Sequence, residues 1–160
     1  MENIIIKDTP NKGKGIFSLV NIPANHIIFK FQGKPIIKEN IKDFTGKIAS
    51  CYLQIGANLY LDVEGDSSYF VNHSCTPNTA VRIHTNQAFL ISLRPIIIGE
   101  EIVFDYSTTS TEDVSTWSMS CNCSRFGCRK IITGFSSLTT EQQKKYIDKE
   151  MVPKYVISNT

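Results

Sequence analysis

A chain of 160 residues, 41% apolar and 20% charged, suits one domain burying about two-thirds of its unfolded surface and is too short for two independent ones. Its longest apolar stretches, at 4–6, 89–91 and 96–98, fall far below the roughly 18 residues of a membrane-spanning helix, so no membrane partner is expected. The net charge of +2, from 17 Lys and Arg against 15 Asp and Glu, is too small for the phosphate-neutralising surface that nonspecific nucleic-acid binding requires.

The first ten residues, MENIIIKDTP, carry neither a basic leader nor an apolar run of signal-peptide length, and the last six carry no lipidation signal; an intracellular, soluble chain is expected. Turn residues then punctuate the first hundred positions: Pro10 to Gly13, Pro23 to Asn25, Gly33, Gly46, Gly56, Gly65-Asp66, Pro77-Asn78 and Gly99. Between them, alternating or β-branched runs predict short strands at 15–20, 27–31, 59–63, 80–83, 89–93 and 102–106. Residues 38–52 are assigned to a helix, weakened by Gly46. After Tyr106 the Ser/Thr-rich segment 107–120 has no helical or strand period and reads as a connecting loop. Thr139 and Thr140, followed three residues later by Gln142 and Gln143, form a capping-box pattern. It predicts one C-terminal helix of about three turns with Tyr146, Ile147 and Met151 on one face, stopped by Pro153.

Five cysteines occur, at 51, 75, 121, 123 and 128. The last three spell C-x-C-x4-C, in which a Cys121–Cys123 disulfide would be strained, so metal binding is the better reading. Three thiolates leave a tetrahedral zinc site one ligand short. Cys75, set between turn-forming groups in His73-Ser74-Cys75-Thr76-Pro77-Asn78, is the preferred fourth ligand, with His73 and His84 as the other candidates. Cys51, ahead of Tyr52-Leu53, reads as a buried thiol. A closed four-sulfur site would be structural, and ordinary reduced thiols are the alternative to it. A zinc knuckle followed by Arg125, Arg129 and Lys130, with Phe126 to stack on a base, is the pattern of a nucleic-acid reader, but three basic residues are too few to support it.

Four segments occur in a fixed order: Lys12-Gly13-Lys14-Gly15-Ile16-Phe17, Asn72-His73-Ser74-Cys75-Thr76-Pro77-Asn78, Gly99-Glu100-Glu101-Ile102-Val103-Phe104-Asp105-Tyr106, and the cysteine cluster. In this order the chain resembles the SET-domain protein lysine methyltransferases from about residue 4 to 130, and the cluster resembles the family's post-SET zinc motif. The resemblance implies a mostly β fold of several short sheets, with a knot-like C-terminal segment, a post-SET zinc site and a C-terminal helix. It divides the chain into a SET domain (1–106), a connecting loop (107–120), a post-SET motif (121–134) and a helical extension (135–160).

The same resemblance implies methyl transfer from S-adenosylmethionine to a lysine of a protein or peptide substrate, a histone tail being one candidate, with zinc purely structural. A nuclear location follows for a eukaryotic source and a cytoplasmic one for a bacterial source. Lys12, Gly13, Lys14, Gly15, Asn72 and His73 match the cofactor-binding positions, and Tyr106 the catalytic hydroxyl. Phe104 matches the channel position that governs how many methyl groups are added, and a phenylalanine there implies di- or trimethylation. Cys75, Cys121, Cys123 and Cys128 match the zinc ligands. Two departures stand out: Phe31 replaces a customary tyrosine, in Phe31-Gln32-Gly33-Lys34, and Tyr69 replaces a common arginine. They keep open an alternative in which the fold only holds a peptide or protein partner. No pre-SET cysteine cluster precedes residue 4.

Overall fold

The computed structural model describes residues 2–41 and 51–159. Four small sheets carry the fold. In the first, β1 (Ile4–Thr9), β2 (Gly13–Ser18), β10 (Glu101–Phe104) and β7 (Asn72–His73) lie in the order β1-β2-β10-β7. The second holds β3 (Ile27–Lys30), β9 (Gln87–Ser92) and β8 (Thr79–His84) in the order β3-β9-β8. The third holds β4 (Lys34–Ile37), β6 (Leu59–Asp62) and β5 (Tyr52–Gln54) in the order β4-β6-β5, and β11 (Met119–Ser120) pairs with β12 (Ile131–Ile132). All six predicted strands are present, with bounds shifted by up to two residues at either end. The proposed helix at 38–52 resolves into a 3-10 turn at Lys38–Asn40 and strand β5, and positions 42–50 lie outside the described residues.

Strand β1 escapes the sequence pattern because Ile-Ile-Ile-Lys-Asp-Thr does not alternate. Among the described residues it is an edge strand, paired with β2 from Ile4↔Ser18 to Thr9↔Gly13. Strand β7 is two residues long and parallel to β10, with Val103 opposite Asn72 and Phe104 opposite His73. Asn78, buried, fastens this crossing. Its side-chain amide donates to Glu100 Oε1 (3.0 Å) and the Glu101 carbonyl (2.8 Å), and its Oδ1 accepts from the Val103 amide (2.9 Å). Strand β10 is thus gripped by β2 on one edge and by residues 72–79 on the other.

The main core gathers residues from the first three sheets, including Ile16, Phe29, Leu61, Val81, Leu90, Ile102 and Phe104. A second cluster joins Ala80 to the C-terminal extension through Phe135, Leu138, Tyr146, Met151, Val152 and Val156. The capping box forms as predicted: the Thr139 hydroxyl accepts from the Gln142 amide, and Gln142 Oε1 accepts from the Thr139 amide. The helix is shorter than expected, however. α1 (Thr140–Asp148) ends before Glu150, whose φ of 51° breaks helical geometry, and Ile147 faces solvent. Pro153 begins a second helix, α2 (Lys154–Ile157), because a fixed φ suits a helix start as well as a stop. No helix among the described residues is long and apolar enough to cross a membrane.

Candidate active site

Successive residues of β10 point to opposite faces, as in any strand. Phe104 lines a narrow apolar cavity of about 70 Å³, and Val103 lines a more open cleft of about 300 Å³. The cavity is walled by Phe31, Leu53, Tyr69, Val71, Phe104, Tyr106, Thr109 and Trp117 among others, and among the described residues no Asp, Glu, Lys or Arg lines it. The Phe31 and Phe104 rings meet edge to face at 6.4 Å, and the Phe104 and Tyr106 rings lie 4.9 Å apart. The two sequence departures, Phe31 and Tyr69, therefore both belong to this wall. Among the described residues, the buried side-chain oxygen or nitrogen without a partner is the hydroxyl of Ser68, another lining residue.

Tyr106 stands just beyond the strand, at the head of a 3-10 turn (Tyr106–Thr109) capped by the Asp105 carboxylate. Its hydroxyl donates to the Val71 carbonyl at 2.7 Å, and its amide donates to His73 Nδ1 at 3.2 Å. Burial pushes the Tyr106 phenol well above its ordinary range. It therefore stays neutral, able to orient a group through its lone pairs but unsuited to act as a base at neutral pH. His73 is buried, and that burial pulls it down to about 4 despite the nearby Asp105 carboxylate. A neutral imidazole accepting at Nδ1 carries its proton on Nε2, which lies 3.3 Å from Cys75 Sγ. The Nδ1 to Asp105 approach of 3.5 Å is consequently not an ion pair.

At the cleft, Lys12 Nζ pairs with Glu101 Oε2 at 2.6 Å. Glu101 Oε1 accepts from Asn72 Nδ2 at 2.9 Å, and the same amide group donates to the Lys14 carbonyl at 2.9 Å. Asn72 is left with its Oδ1 to accept from a ligand. Gly13 has a φ of 70°, and a Cβ at Gly15 would lie 2.7 Å from Glu101 Oε1 and 2.8 Å from Asn72 Nδ2. The first glycine thus turns the chain and the second admits the Glu101–Asn72 pair against the backbone. Lys12 and Ser74 line the cleft opposite Asn122, Cys123, Ser124 and Arg125. Gly15 and Asn72 stand beside it through Glu101, Lys14 lies over the Phe70 ring, and His73 is packed behind.

The sulfurs of Cys75, Cys121, Cys123 and Cys128 all lie within 4.8 Å of one another, with Cys75 and Cys121 at 3.7 Å. Zinc bonded to four sulfurs at about 2.3 Å sets them about 3.8 Å apart, so this donor set fits a tetrahedral ion. Burial raises the Cys75 and Cys121 thiols. At Cys123 burial acts the same way, but main-chain donors at Cys75 and Arg125 outweigh it and hold the thiol at about 6. Cys51 lies apart at the foot of β5, half-buried, and His84 ends β8 outside the cluster.

Sequence reasoning missed the most buried charge. Asp105, fully buried, accepts from Arg129 Nη1 at 2.6 Å and Nη2 at 2.7 Å, and from the Tyr146 hydroxyl at 2.8 Å. Burial alone would raise Asp105; the Arg129 guanidinium holds its carboxyl below the usual range. Arg129, counted in the sequence with the basic residues of a knuckle, is thus spent inside the protein. The Ser/Thr segment after Tyr106 is likewise more than a surface connector, because Ser107, Thr108, Thr109 and Glu112 are buried. A readable signal existed in a charge placed between Phe104 and Tyr106, which a buried partner must compensate.

A family model for the SET domain matches residues 13–107. Over 135 residues the chain is 30% identical to Histone-lysine N-methyltransferase 2B of Homo sapiens, an alignment covering 75% of this chain and 5% of that protein. Over 82 residues it is 42% identical to Histone-lysine N-methyltransferase Su(var)3-9 of Drosophila melanogaster, covering 42% and 13%. The chain therefore spans a small part of these relatives. A crystal structure of KRYPTONITE in complex with mCHG DNA and SAH superposes with a TM-score of 0.67 at 21% identity, over 81% of this chain and 28% of that one. A second KRYPTONITE structure, with mCHH DNA, H3(1-15) peptide and SAH, gives a TM-score of 0.65 at the same identity.

Proposed function

Because the chain belongs to the SET-domain family, we propose that it transfers methyl groups from S-adenosylmethionine to a lysine side chain of a protein substrate. The observation that carries this reading is the pairing of two spaces on one strand: a narrow cavity, lined by Tyr106 and by no charged side chain among the described residues, and a cleft on the other face of β10 lined by Lys12, Glu101 and Asn122 among others. A lysine amine is overwhelmingly protonated in water, with a pKa of about 10.4. A cavity without a carboxylate disfavours that charge by desolvation and so favours the neutral nucleophile. Tyr106 accepts from the amine through its lone pairs while its own O–H donates to the Val71 carbonyl. Methyl transfer is then chiefly positioning of the amine.

When bound, S-adenosylmethionine supplies an electrophilic sulfonium methyl. The residues fit such a group: Glu101 offers a carboxylate to a cation, Asn72 an unspent amide oxygen, and Lys12, Ser74 and Asn122 further polar atoms at the cleft. We assign Lys12 to Gly15, Asn72 and His73 to holding it, and Cys75, Cys121, Cys123 and Cys128 to a structural zinc ion. We read residues 121–134 as a post-SET motif and 135–160 as a helical extension of the domain.

Histone-lysine methyltransferases among the relatives, and a neighbour crystallised with an H3(1-15) peptide, make the histone H3 tail the first substrate to try. Phe104, without a hydroxyl to engage the amine or hold a water beside it, leaves room for an amine that already carries a methyl group. The product is accordingly di- or trimethyl-lysine. Mass spectrometry of H3 and of a lysine-peptide array with excess cofactor tests this. Addition of two or three methyl groups, shifted toward one by Phe104→Tyr, is expected. A wild-type reaction that halts at a single methyl group contradicts the product assignment, and no transfer to any peptide contradicts the activity.

A further inference from the structure

The C-terminal extension lies beyond the matched region 13–107, yet it reaches back to the apolar cavity. Tyr155, on α2, sets its hydroxyl 2.7 Å from the Gln54 carbonyl and 2.6 Å from the Thr109 carbonyl. Gln54 ends β5 and Thr109 ends the turn that starts at Tyr106, so the two oxygens come from distant parts of the chain. Both residues line the cavity. A hydroxyl has a single proton, and here it is shared between two carbonyl dipoles whose negative ends would otherwise face each other. The same joint is fastened by the Gln54 side chain, which donates to Thr111 Oγ1 at 2.8 Å and accepts from the Thr111 amide at 3.0 Å. Val156, the next residue of α2, is fully buried in a separate cluster with Phe135 and Tyr146.

We propose that Tyr155 is a positioning residue for methyl transfer: by bridging Gln54 and Thr109 its hydroxyl sets the width of the cavity beside Tyr106. The extension thereby controls how many methyl groups a bound amine can carry. The inference rests on the lysine-methylation reading above. In a narrow cavity a shift of a few tenths of an ångström between the walls changes both the angle of the amine and the room beside it.

Tyr155→Phe removes the bridge and keeps the ring; Val156→Ala loosens the same helix and keeps the bridge. In the zinc-loaded 160-residue chain with a lysine-peptide array, Tyr155→Phe is expected to lower kcat about tenfold and to alter the ratio of mono- to higher-methylated product. Val156→Ala lowers Tm at least as much but leaves both quantities unchanged well below Tm. Trp117, the single tryptophan, lines the same cavity. Without any cofactor, its quenching by acrylamide should increase about twofold in Tyr155→Phe and stay constant in Val156→Ala. Unchanged turnover, product ratio and quenching in Tyr155→Phe overturn the inference, as do equal changes in the two variants. A parent protein that methylates no peptide, even with the quenching difference present, overturns the lysine-methylation reading and the positioning role with it.

Discussion

The Tyr106 hydroxyl is fixed by an acceptor, the Val71 carbonyl, that belongs to the turn ahead of β7. The phenol therefore stands at the cavity already oriented and neutral, and in the proposed methyl transfer its contribution is geometric. Tyr106→Phe should keep the fold and cofactor affinity, since the ring and its contacts with Phe104 and His73 remain. Its kcat should fall by about two orders of magnitude, the usual cost of losing one positioned hydrogen bond at a reacting centre. Steady-state kinetics beside calorimetric cofactor binding checks both halves. Near-parental turnover would assign Tyr106 to packing. Tyr106 was readable in the sequence because its neighbours form a recognisable run, whereas Asp105 was hidden. A lone carboxylate in that run shows its importance only when Arg129, 24 residues later, is seen to close on it.

Among the elements, the segment after Tyr106 bears more structure than its composition suggested. Lys38 Nζ and the Tyr60 hydroxyl converge on the buried Glu112 carboxylate, and the Phe135 amide donates to the Ser110 carbonyl. Ser and Thr give no periodicity to read, because their contribution here is hydrogen bonding to distant partners. Burial acts to raise Glu112, and its bonds to Lys38 and Tyr60 outweigh this and lower its pKa from 4.5. The carboxyl binds its proton less readily folded than unfolded, so its stabilisation is present above about pH 4.5 and is lost as pH falls through the lower folded value. Glu112→Gln should cost about 1–3 kcal/mol at pH 7, and the gap from wild type should narrow below pH 4 in thermal unfolding. A gap independent of pH would mean the carboxylate is unpaired in solution. Arg129→Met tests the other joint. It leaves Asp105 buried with only Tyr146 and backbone donors, and should destabilise the protein by about 3–5 kcal/mol. Chemical denaturation measures this, and a change below 1 kcal/mol would show that the ion pair does not hold the segment around the cysteine cluster in place.

Across the whole molecule, the tail returns to the middle of the chain at three joints among others. The cysteine cluster ties 121–128 to Cys75, Arg129 and Tyr146 meet at Asp105, and Tyr155 bridges β5 to the turn at Thr109. The strands of the middle sheets were legible because they alternate between turns. The extension's route was not, because Pro153 serves equally well as a helix stop or start and a single buried residue per helix, Tyr146 in α1 and Val156 in α2, leaves little pattern. Zinc is expected at about one ion per chain, held in Cys51→Ser and lost in Cys75→Ser, as elemental analysis would report. Chelation should weaken cofactor binding about tenfold or more, because Asn122 to Arg125 form one side of the cleft. Reduced protein that purifies without zinc would contradict the assignment.

The measurement that bears most directly on the account uses S-adenosylmethionine with an isotopically labelled methyl group and a histone H3 peptide. Tandem mass spectrometry then locates the label on the peptide. Label confined to lysine Nε, carried in multiples up to two or three and reduced about a hundredfold in Tyr106→Phe, is the predicted result. Cofactor bound at the cleft with no labelled lysine in this peptide or in a whole-proteome lysate would contradict it.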